Sequence, residues 1–482
     1  MTTSYRALTA GACAAALALT AVGCADGNGS TGSGTRQPAR ALTSASPSTT
    51  VRPFPQVPSI AECRRTLGFA CYTPDLVRTA YGIDKLNASG LTGKGRTVVV
   101  YEEVVPDTLK KDLETFSKAM KLPAPDLTVD SYDPAGRIAR FDAKNKDMAA
   151  TAVETTLDVQ MVHMTAPDAK IVVTQIGLPA SAYRSALSSG TSPSGTPEPE
   201  PEQEAGRRAA EGAAAGAELI LDGIAQSVRE HRPDAISVSF GIDEYTAAGG
   251  TTQPAADLAE FSAPLAQVVA AGTTLVASAG DSGAAPPIGP DGRRVRSVSW
   301  PASDPSVLSL GASRLHLDEQ GKRTAPDTVW HDKAGATGGG PSQTFSRPAY
   351  QNSVTKAVGD DRGTSDISLD GSASGGTLIY QSFLPAGTGW MPVGGTSEAA
   401  PMFAALVALA NEKAHARLGT IHEELYELAA KKDGGVVDIT EGDNDPDGYQ
   451  ATKGYDLASG LGTVDASVFV PALTELAATH SP

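Results

Sequence analysis

Short runs of β-branched and apolar residues alternate with helical stretches along most of this 482-residue chain. The segment GRTVVVYEEV, residues 95–104, has the composition of a buried strand, and similar runs follow at 170–176, 235–240, 273–278 and 306–310. Helical spacing occupies residues 148–164 and 219–230. Such alternation predicts βαβ units and a parallel sheet covered on both faces. We therefore predict an α/β fold, a doubly wound and mostly parallel sheet with helices on both faces, in one large domain over residues 59–478.

The first 24 residues have the pattern of an export signal. Arg6 precedes an apolar run from Ala7 to Val22 that is too short to span a bilayer comfortably. The run ends in AVGC, which resembles a lipoprotein processing box with Ala21 in place of the usual Leu, and it predicts lipidation of Cys24. Ordinary signal cleavage is the alternative. Both predict a protein that is secreted or anchored to the outer face of the cell membrane, and no other segment is apolar for long enough to cross a membrane.

Two low-complexity segments interrupt the folded pattern. Residues 25–58 are mostly Gly, Ser, Thr and Pro, with almost no large apolar side chain, and they predict a disordered tether. Residues 188–204, SSGTSPSGTPEPEPEQE, predict a surface insertion.

Cysteine usage agrees with export. Apart from Cys13 within the signal and Cys24, the chain has only Cys63 and Cys71, in the segment ECRRTLGFAC. Their spacing is one that a disulfide loop can close, and an oxidising compartment permits the bond. Two buried free thiols are the alternative.

The strongest chemical signal is GGTSEAAPMFAALVALANE, residues 394–412. A Gly-Gly-Thr-Ser turn opens onto a long apolar helix and places Ser397 at the helix N-terminus, where the dipole and free N–H groups favour developing negative charge. A serine in this position can also serve only as an N-cap. The flanking glycines and the whole GTSxAAP-type run favour a nucleophile. Two peptidase families share such a run, the subtilisins and the sedolisins.

Histidine separates the two families. A subtilisin needs a histidine base, in a His-Gly-Thr context, held by an aspartate. None of the seven histidines of this chain lies in that context. The segment VETTLDVQMVHMTAPDAKIVV, residues 153–173, instead resembles the Glu-x-x-x-Asp helix of the sedolisins, the serine-carboxyl peptidases. The chain is therefore identified as similar to the sedolisin family, which implies a subtilisin-like fold.

Glu154 and Asp158 lie four residues apart, so their carboxylates share one helical face about one turn apart. The helix has no Lys or Arg, and the apolar residues around the two acids predict burial. Two crowded carboxyl groups titrate apart, which supplies one usable base at acidic pH. By the resemblance, Glu154 is the general base for Ser397, and Asp158 orients it.

The segment TTLVASAGDSGA, residues 273–284, is a buried strand that runs into Gly-Asp-Ser-Gly. The end of a strand is where an α/β sheet places functional groups. Asp281 could be only a turn residue before glycine. It matches the family's oxyanion acid, a carboxyl group that donates a hydrogen bond to the tetrahedral intermediate while it is protonated, and this role would tie activity to low pH.

Further stretches resemble the family. They are AISVSFG with Glu244 three residues on, WPASDPSVLSLGAS at 300–313, and GGGPSQTFSRPAYQ at 338–351. RGTSDISLDG, residues 362–371, resembles the family's R-x-x-PD element, with Ser365 in place of Pro. The resemblance covers residues 73–468.

Near the C-terminus, residues 436–462 resemble the family's calcium site. The resemblance implies one structural Ca²⁺ held by the carboxylates of Asp438 and Asp456 and by the backbone carbonyls of Ile439, Thr452 and Gly454. Oxygen donors of these kinds suit a hard cation. A neighbouring D-x-D-x-D-G run begins at Asp443, but Gly454 stands where an EF-hand has its bidentate Glu, so this run is interpreted as an acidic loop.

The resemblance implies a secreted or membrane-anchored endopeptidase that hydrolyses protein or peptide substrates at acidic pH. The alternative is a non-catalytic extracellular lipoprotein that keeps the fold as a binding module. The net charge of −16 excludes a basic nucleic-acid-binding surface, and we expect a monomer whose only membrane contact is a lipid on Cys24. Sedolisins usually carry a large folded prosegment, for which the residues before the predicted domain leave little room, so pH is the expected control of activity.

Overall fold

The computed structural model describes residues 52–177, 202–288 and 293–480. The predicted signal segment 1–24 with Cys24, most of the predicted tether and most of the predicted insertion lie outside the described residues.

The described helices and strands alternate through most of the chain. The α-helices are α1 (Ile60–Leu67), α2 (Pro74–Tyr81), α3 (Ile83–Ala88), α4 (Leu109–Ala119), α5 (Lys146–Thr165), α6 (Glu202–His231), α7 (Glu244–Ala247), α8 (Ala256–Glu260), α9 (Ser262–Ala270), α10 (Thr355–Val358), α11 (Thr396–Ala414), α12 (His422–Ala429) and α13 (Ala466–His480). The strands are β1 (Thr97–Glu102), β2 (Asp126–Tyr132), β3 (Lys170–Ile176), β4 (Ala235–Val238), β5 (Ile242–Asp243), β6 (Thr274–Ser278), β7 (Pro287–Ile288), β8 (Arg293–Arg294), β9 (Ser299–Trp300), β10 (Val307–Arg314), β11 (Thr328–Val329), β12 (Gly340–Ser346), β13 (Asp361–Thr364), β14 (Ile367–Asp370), β15 (Thr377–Gln381), β16 (Gly389–Val393), β17 (Val436–Val437) and β18 (Thr463–Val464).

The central sheet has the strand order β11-β10-β6-β4-β1-β3-β2, and β14 also pairs with β10. Every pairing in this sheet is parallel except that of β10 with the short strand β11. Parallel strands need crossover connections. Helix α4 connects β1 to β2, α5 connects β2 to β3, and α6 lies between β3 and β4. The predicted doubly wound, mostly parallel sheet is confirmed.

Each face of the sheet carries its own apolar core. Val98 and Val100 of β1 pack into one core with residues of α4, α5 and α11. Val99 and Tyr101 point to the opposite face and join a second core with residues of α6 and α9. This alternation follows from the pleat of a strand, in which successive side chains leave opposite faces.

Helices α5 and α11 are almost wholly buried. Nearly every residue of α5 from Met148 onward is inaccessible to solvent, as is α11 from Thr396 to Asn411. A helix that is buried all round lies in the core of a large domain. The two helices pack along each other, and α11 also crosses strands β4, β6 and β10. Polar side chains on either helix are therefore enclosed within the protein.

The folded part of the chain begins before residue 58, the predicted end of the tether. The backbone N–H of Phe54 donates to the Trp390 carbonyl, and the N–H of Trp390 donates back to Phe54, both at 2.8 Å. The Phe54 side chain is buried beside this pairing. The prediction of disorder up to residue 58 is therefore wrong at its end, because this aromatic residue finds apolar cover far along the chain.

The N-terminal segment makes a second attachment to the same hairpin. The N–H of Tyr72 donates to the carbonyl of Gly376 at 3.1 Å, and the N–H of Leu378 donates to the Tyr72 carbonyl at 2.8 Å. Strands β15 and β16, which form this hairpin, lead directly into the Gly-Gly-Thr-Ser turn. Between the two attachments, Cys63 and Cys71 are joined in a disulfide and are buried.

Two further predictions concern the surface insertion and membrane-spanning segments. The predicted insertion, 188–204, lies mostly outside the described residues, but its last three residues already belong to α6. None of the described helices combines the length and the apolarity that a membrane crossing requires.

Removal of the disulfide should destabilise the protein. In Cys63→Ala/Cys71→Ala, the free energy of unfolding should fall by about 2–3 kcal/mol, because the closed loop no longer restricts the unfolded chain. Urea unfolding of both proteins, with and without a reducing agent, measures the difference. The reducing agent should lower the stability of the wild type and leave the double variant unchanged. A wild type that does not respond to reduction contradicts this prediction.

Candidate active site

The two buried helices bring the predicted catalytic side chains together. Glu154 and Asp158 lie one turn apart on α5, and Ser397 is the second residue of α11. Helix α5 begins at a conventional cap, since Asn145 Oδ1 accepts from the N–H groups of Asp147 and Met148. Helix α11 follows Gly395, whose φ of 122° belongs to a conformation that glycine adopts readily.

Ser397 is fully buried at the start of α11. Its hydroxyl donates to the backbone carbonyl of Ser239, with 3.3 Å between the two oxygens. Ser239 follows β4, so the nucleophile candidate lies at the carboxyl edge of the central sheet. The helix dipole and the free N–H groups of the first turn favour negative charge at this position.

Glu154 lies beside Ser397. Burial raises the pKa of Glu154 well above its ordinary value, the charge of Asp158 raises it further, and hydrogen bonding with the Ser397 hydroxyl acts in the opposite direction. In the observed rotamer this hydroxyl points to Ser239, and both carboxyl oxygens of Glu154 lack another partner in the described part of the chain. Rotation of one hydroxyl is enough to pair the serine with the carboxylate.

Asp158 has no exposed surface. Its Oδ2 accepts a hydrogen bond of 2.7 Å from the hydroxyl of Ser239. Ser239 therefore contacts both parts of the site, through its side chain to Asp158 and through its carbonyl to Ser397. The sequence did not single out Ser239, although it lies within the AISVSFG segment that resembles the family.

Glu102, the last residue of β1, is a fourth acid in the same cluster and was also missed. It is buried, and its Oε2 accepts from the Thr155 hydroxyl at 2.9 Å. Burial, and then the charge of Glu154, raises its pKa well above the usual range. For Asp158, burial and then the charge of Glu102 raise the pKa well above the usual range, and the hydrogen bond from Ser239 acts in the opposite direction. The YEE run at the end of a buried strand was the available signal.

Asp281 lies just after β6 and contacts the first turn of α11. Its Oδ1 accepts from the N–H of Thr396 at 2.7 Å and from the Thr396 hydroxyl at 2.8 Å. The N–H of Gly280 donates to the same hydroxyl at 3.0 Å. Burial raises the pKa of Asp281 to about 6, against the hydrogen bonds from Thr396. Its Oδ2 is buried and has no partner among the described residues.

The cluster combines the groups that acyl transfer needs. It has a serine hydroxyl at a helix N-terminus, a carboxyl base beside it, a second acid behind that base, and a carboxyl group that is neutral in acid solution. The described histidines form no hydrogen bond with any member of this cluster; His331, for example, pairs with Asp443 at 2.7 Å. The catalytic set predicted from the sequence is therefore brought to one place.

The predicted calcium ligands lie on two neighbouring loops. Asp438 Oδ2 accepts from the N–H of Gly454 at 2.9 Å, and Asp456 Oδ2 accepts from the N–H of Thr452 at 2.8 Å. Ile439 is buried next to Asp438. The predicted ligands are all oxygen atoms, the donor type that Ca²⁺ prefers. In the described structure Asp456 Oδ1 also accepts from the N–H groups of Ala458 and Ser459.

The D-x-D-x-D-G run is a surface loop held by cations. Asp445 pairs with the Arg294 guanidinium, Arg296 donates to the backbone carbonyl of Asp447, and Asp443 pairs with His331. The carboxylates of Asp443 and Asp445 are thus engaged by protein groups.

Comparisons with known proteins agree with this geometry. The pattern of the subtilase family, Peptidase_S8, matches residues 144–433, more than half of the chain. Kumamolisin from Bacillus sp. (strain MN-32) is 29% identical over 425 residues, which cover 85% of this chain and 65% of kumamolisin. Sedolisin from Pseudomonas sp. (strain 101) is 33% identical over 252 residues, or 50% of this chain and 40% of sedolisin. The chain thus spans less than two thirds of the length of these relatives.

A solved structure shows the same fold. Pseudomonas sedolisin, a serine-carboxyl proteinase complexed with two molecules of pseudo-iodotyrostatin, superimposes with a TM-score of 0.63. The sequences are 24% identical, and the match covers 85% of this chain and 98% of that one. The predicted subtilisin-like fold is confirmed.

The buried acids should make the protein less stable at neutral pH than in acid. The pKa values of Glu102, Glu154, Asp158 and Asp281 are higher in the folded protein than the value near 4 of an unfolded chain, so the folded state binds more protons above about pH 4. The stability that these protons contribute is complete below about pH 4 and is lost as the pH rises through the folded-state pKa values.

Thermal unfolding between about pH 4 and pH 7 measures this loss, and the midpoint should fall as the pH rises. Asp281→Asn should reduce the loss in free energy of unfolding between about pH 4 and pH 7 by about 1–3 kcal/mol. Glu114→Gln, at an exposed position, is the matched control and should leave the slope as it is. A midpoint that is constant or rises over this range contradicts the assignment.

Proposed function

The chain belongs to the subtilase family, in its sedolisin group, and we propose that it is a serine-carboxyl endopeptidase that cleaves protein or peptide substrates in acid. One observation supports the proposal above all. Ser397, Glu154, Asp158 and Asp281 come from three separate elements and meet at one edge of the sheet, without a histidine.

In the proposed first step, Ser397 Oγ attacks the scissile carbonyl carbon and its proton passes to Glu154. The carbonyl oxygen becomes an oxyanion, and the neutral carboxyl group of Asp281 donates a hydrogen bond to it. Collapse of the tetrahedral intermediate breaks the C–N bond, and Glu154 returns the proton to the leaving amine. Water then repeats the sequence on the acyl-enzyme and releases Ser397.

Crowding of the acids explains how a buried glutamate can act as a base. Interacting carboxyl groups lose their protons one at a time, because each ionisation raises the cost of the next. Burial and the charge of Glu102 raise the pKa of Asp158, which retains a proton behind Glu154. We place the first negative charge of the cluster on Glu154, where the Ser397 hydroxyl favours it.

The requirement for a neutral Asp281 carboxyl group sets the upper pH limit of activity. With a pKa of about 6, this carboxyl group loses its proton as the pH approaches neutrality, and an ionised carboxylate repels the oxyanion. The signal-like segment, the processing box at Cys24 and the Cys63–Cys71 disulfide support a place of action outside the cytoplasm, in the medium or on the outer membrane face.

The pH dependence of activity tests the proposal. Hydrolysis of a denatured protein substrate should be confined to acidic pH, and Ser397→Ala should lower kcat by about 10⁴-fold or more. Asp281→Asn should lower the peak rate and carry the remaining activity to higher pH, because an amide donates at any pH. Wild-type activity that is as high at neutral pH as in acid contradicts the role of Asp281. No activity at any pH, in a folded protein with calcium present, favours the binding module.

We also propose one structural Ca²⁺, with Asp438, Asp456 and the carbonyls of Ile439, Thr452 and Gly454 as ligands. The support is that all the proposed donors are oxygen atoms and that a hydrogen bond from the Gly454 N–H to Asp438 holds the two loops together. A cation there would tie the 438–439 loop to the 452–456 loop.

Removal of calcium should lower the thermal stability. At a Ca²⁺ concentration of about 100 times Kd, the bound ion adds about 2.7 kcal/mol, which corresponds to a rise of about 3 °C in Tm for a domain of this size. Thermal unfolding with excess Ca²⁺ and with EDTA measures the shift. In Asp438→Asn the shift should shrink, while Asp445→Asn in the acidic loop should keep it. An unchanged Tm in EDTA excludes a stabilising ion.

A further inference from the structure

Helix α11 carries a second buried acid directly beside the nucleophile. Glu398 follows Ser397 in the first turn and has no exposed surface. Its Oε1 accepts a hydrogen bond from the hydroxyl of Thr377, the first residue of β15. Its Oε2 is buried without a hydrogen-bond partner in the described part of the chain. The proposed mechanism does not use this acid.

Asp370, the last residue of β14, is the acid whose charge acts on Glu398. It is also fully buried. Its Oδ1 accepts from the N–H of Leu315 at 3.2 Å, and its Oδ2 is buried without a partner among the described residues. Burial raises the pKa of both acids well above the usual range, and for Glu398 the charge of Asp370 raises it further. Each acid therefore has one unsatisfied oxygen.

The backbones that carry the two acids are in direct contact. The N–H of Gly395 donates to the carbonyl of Gly371 at 2.6 Å, and a Cβ on Gly371 would lie only 2.3 Å from the Gly395 carbonyl. Gly371 follows Asp370, and Gly395 begins the turn that holds Ser397. A change in the distance between the acids therefore acts on the position of the nucleophile.

The surroundings do not neutralise two negative charges. Two arginines lie near the pair. The Arg323 guanidinium binds both carboxyl oxygens of Asp327, at 2.7 and 2.9 Å, and Arg314 forms no ion pair with either acid among the described residues. The charge of Asp327 also acts on Asp370 and disfavours its ionisation. Two ionised carboxylates without paired cations carry a large desolvation cost. The titratable and charged groups around the pair are Tyr72, Tyr81, Arg314, Arg323, Asp327 and Asp332.

We propose that Glu398 and Asp370 form a second carboxyl pair that holds Ser397 in place by sharing one proton. The shared proton satisfies the free oxygen of each acid and keeps the first turn of α11 against β14. When this proton is lost, the two carboxylates repel each other, and Glu398 moves the adjoining Ser397 away from Glu154. Glu398 is thus a positioning residue, and this inference rests on the proposed peptidase function.

The pair adds a second proton to the acid requirement. Asp281 must be protonated to donate to the oxyanion, and the Glu398–Asp370 pair must be protonated to position the nucleophile. If two protons are required, kcat/KM falls by about 100-fold per pH unit once both have been lost, whereas one required proton gives about tenfold. The steepness of the decline in kcat/KM toward neutral pH therefore shows how many protons the reaction requires.

The test is the pH profile of kcat/KM for Glu398→Gln. The glutamine oxygen can still accept from Thr377, and its N–H can donate permanently to Asp370. We expect near wild-type activity at the acidic optimum, with the neutral-side slope reduced from about 100-fold to about tenfold per pH unit. Asp370→Asn, which supplies the N–H from the other side, should give the same slope and serves if Glu398→Gln does not fold. Glu319→Gln, at an exposed position, is the control and should keep the wild-type slope.

A Glu398→Gln profile that superimposes on that of the wild type overturns the proposal. Failure of the peptidase function itself is separable, because the pair can be followed without catalysis. In Ser397→Ala, the thermal midpoint should fall with rising pH, and Glu398→Gln added to this variant should reduce the fall. Equal falls in the two proteins show that Glu398 and Asp370 do not share a titrating proton.

Discussion

Burial of carboxyl groups without cationic partners is the constraint that governs this protein. Three acids, Glu102, Glu154 and Asp158, are buried between β1 and two core helices. Asp281, just after β6, is the fourth acid of this cluster. An isolated ionised carboxylate in such a place is costly, so the groups retain protons and share hydrogen bonds. The protonation state of this cluster and the stability of the domain are therefore both expected to depend on pH.

Much of this arrangement could be predicted from local pattern. The alternation of strands and helices predicted the parallel sheet, and the apolar residues around Glu154 and Asp158 predicted a buried helix. The turn before Ser397 and the strand before Asp281 predicted groups at the carboxyl edge of the sheet. These inferences succeed because one strand or helix, together with the edge rule for parallel sheets, determines each of them.

The remaining features depend on contacts between distant segments, which no local pattern contains. Ser239 bridges Asp158 and Ser397 only because β4 lies beside β1 in the folded sheet. The burial of Glu398 depends on Thr377 and on the end of β14. Strand β2 escaped prediction because it is an edge strand with half-exposed residues and no continuous apolar run. Phe54 was assigned to the tether because its cover comes from β16.

The attachment of Phe54 and Tyr72 to the β15–β16 hairpin has a consequence for the order of assembly. The first folded segment and this hairpin are far apart in the sequence, and contacts of such long separation require a large loop to close. A growing chain has no hairpin for its first folded segment to join until residues 377–393 have been made. The turn that carries Ser397 directly follows β16, so it can be supported by these contacts only after most of the chain is available.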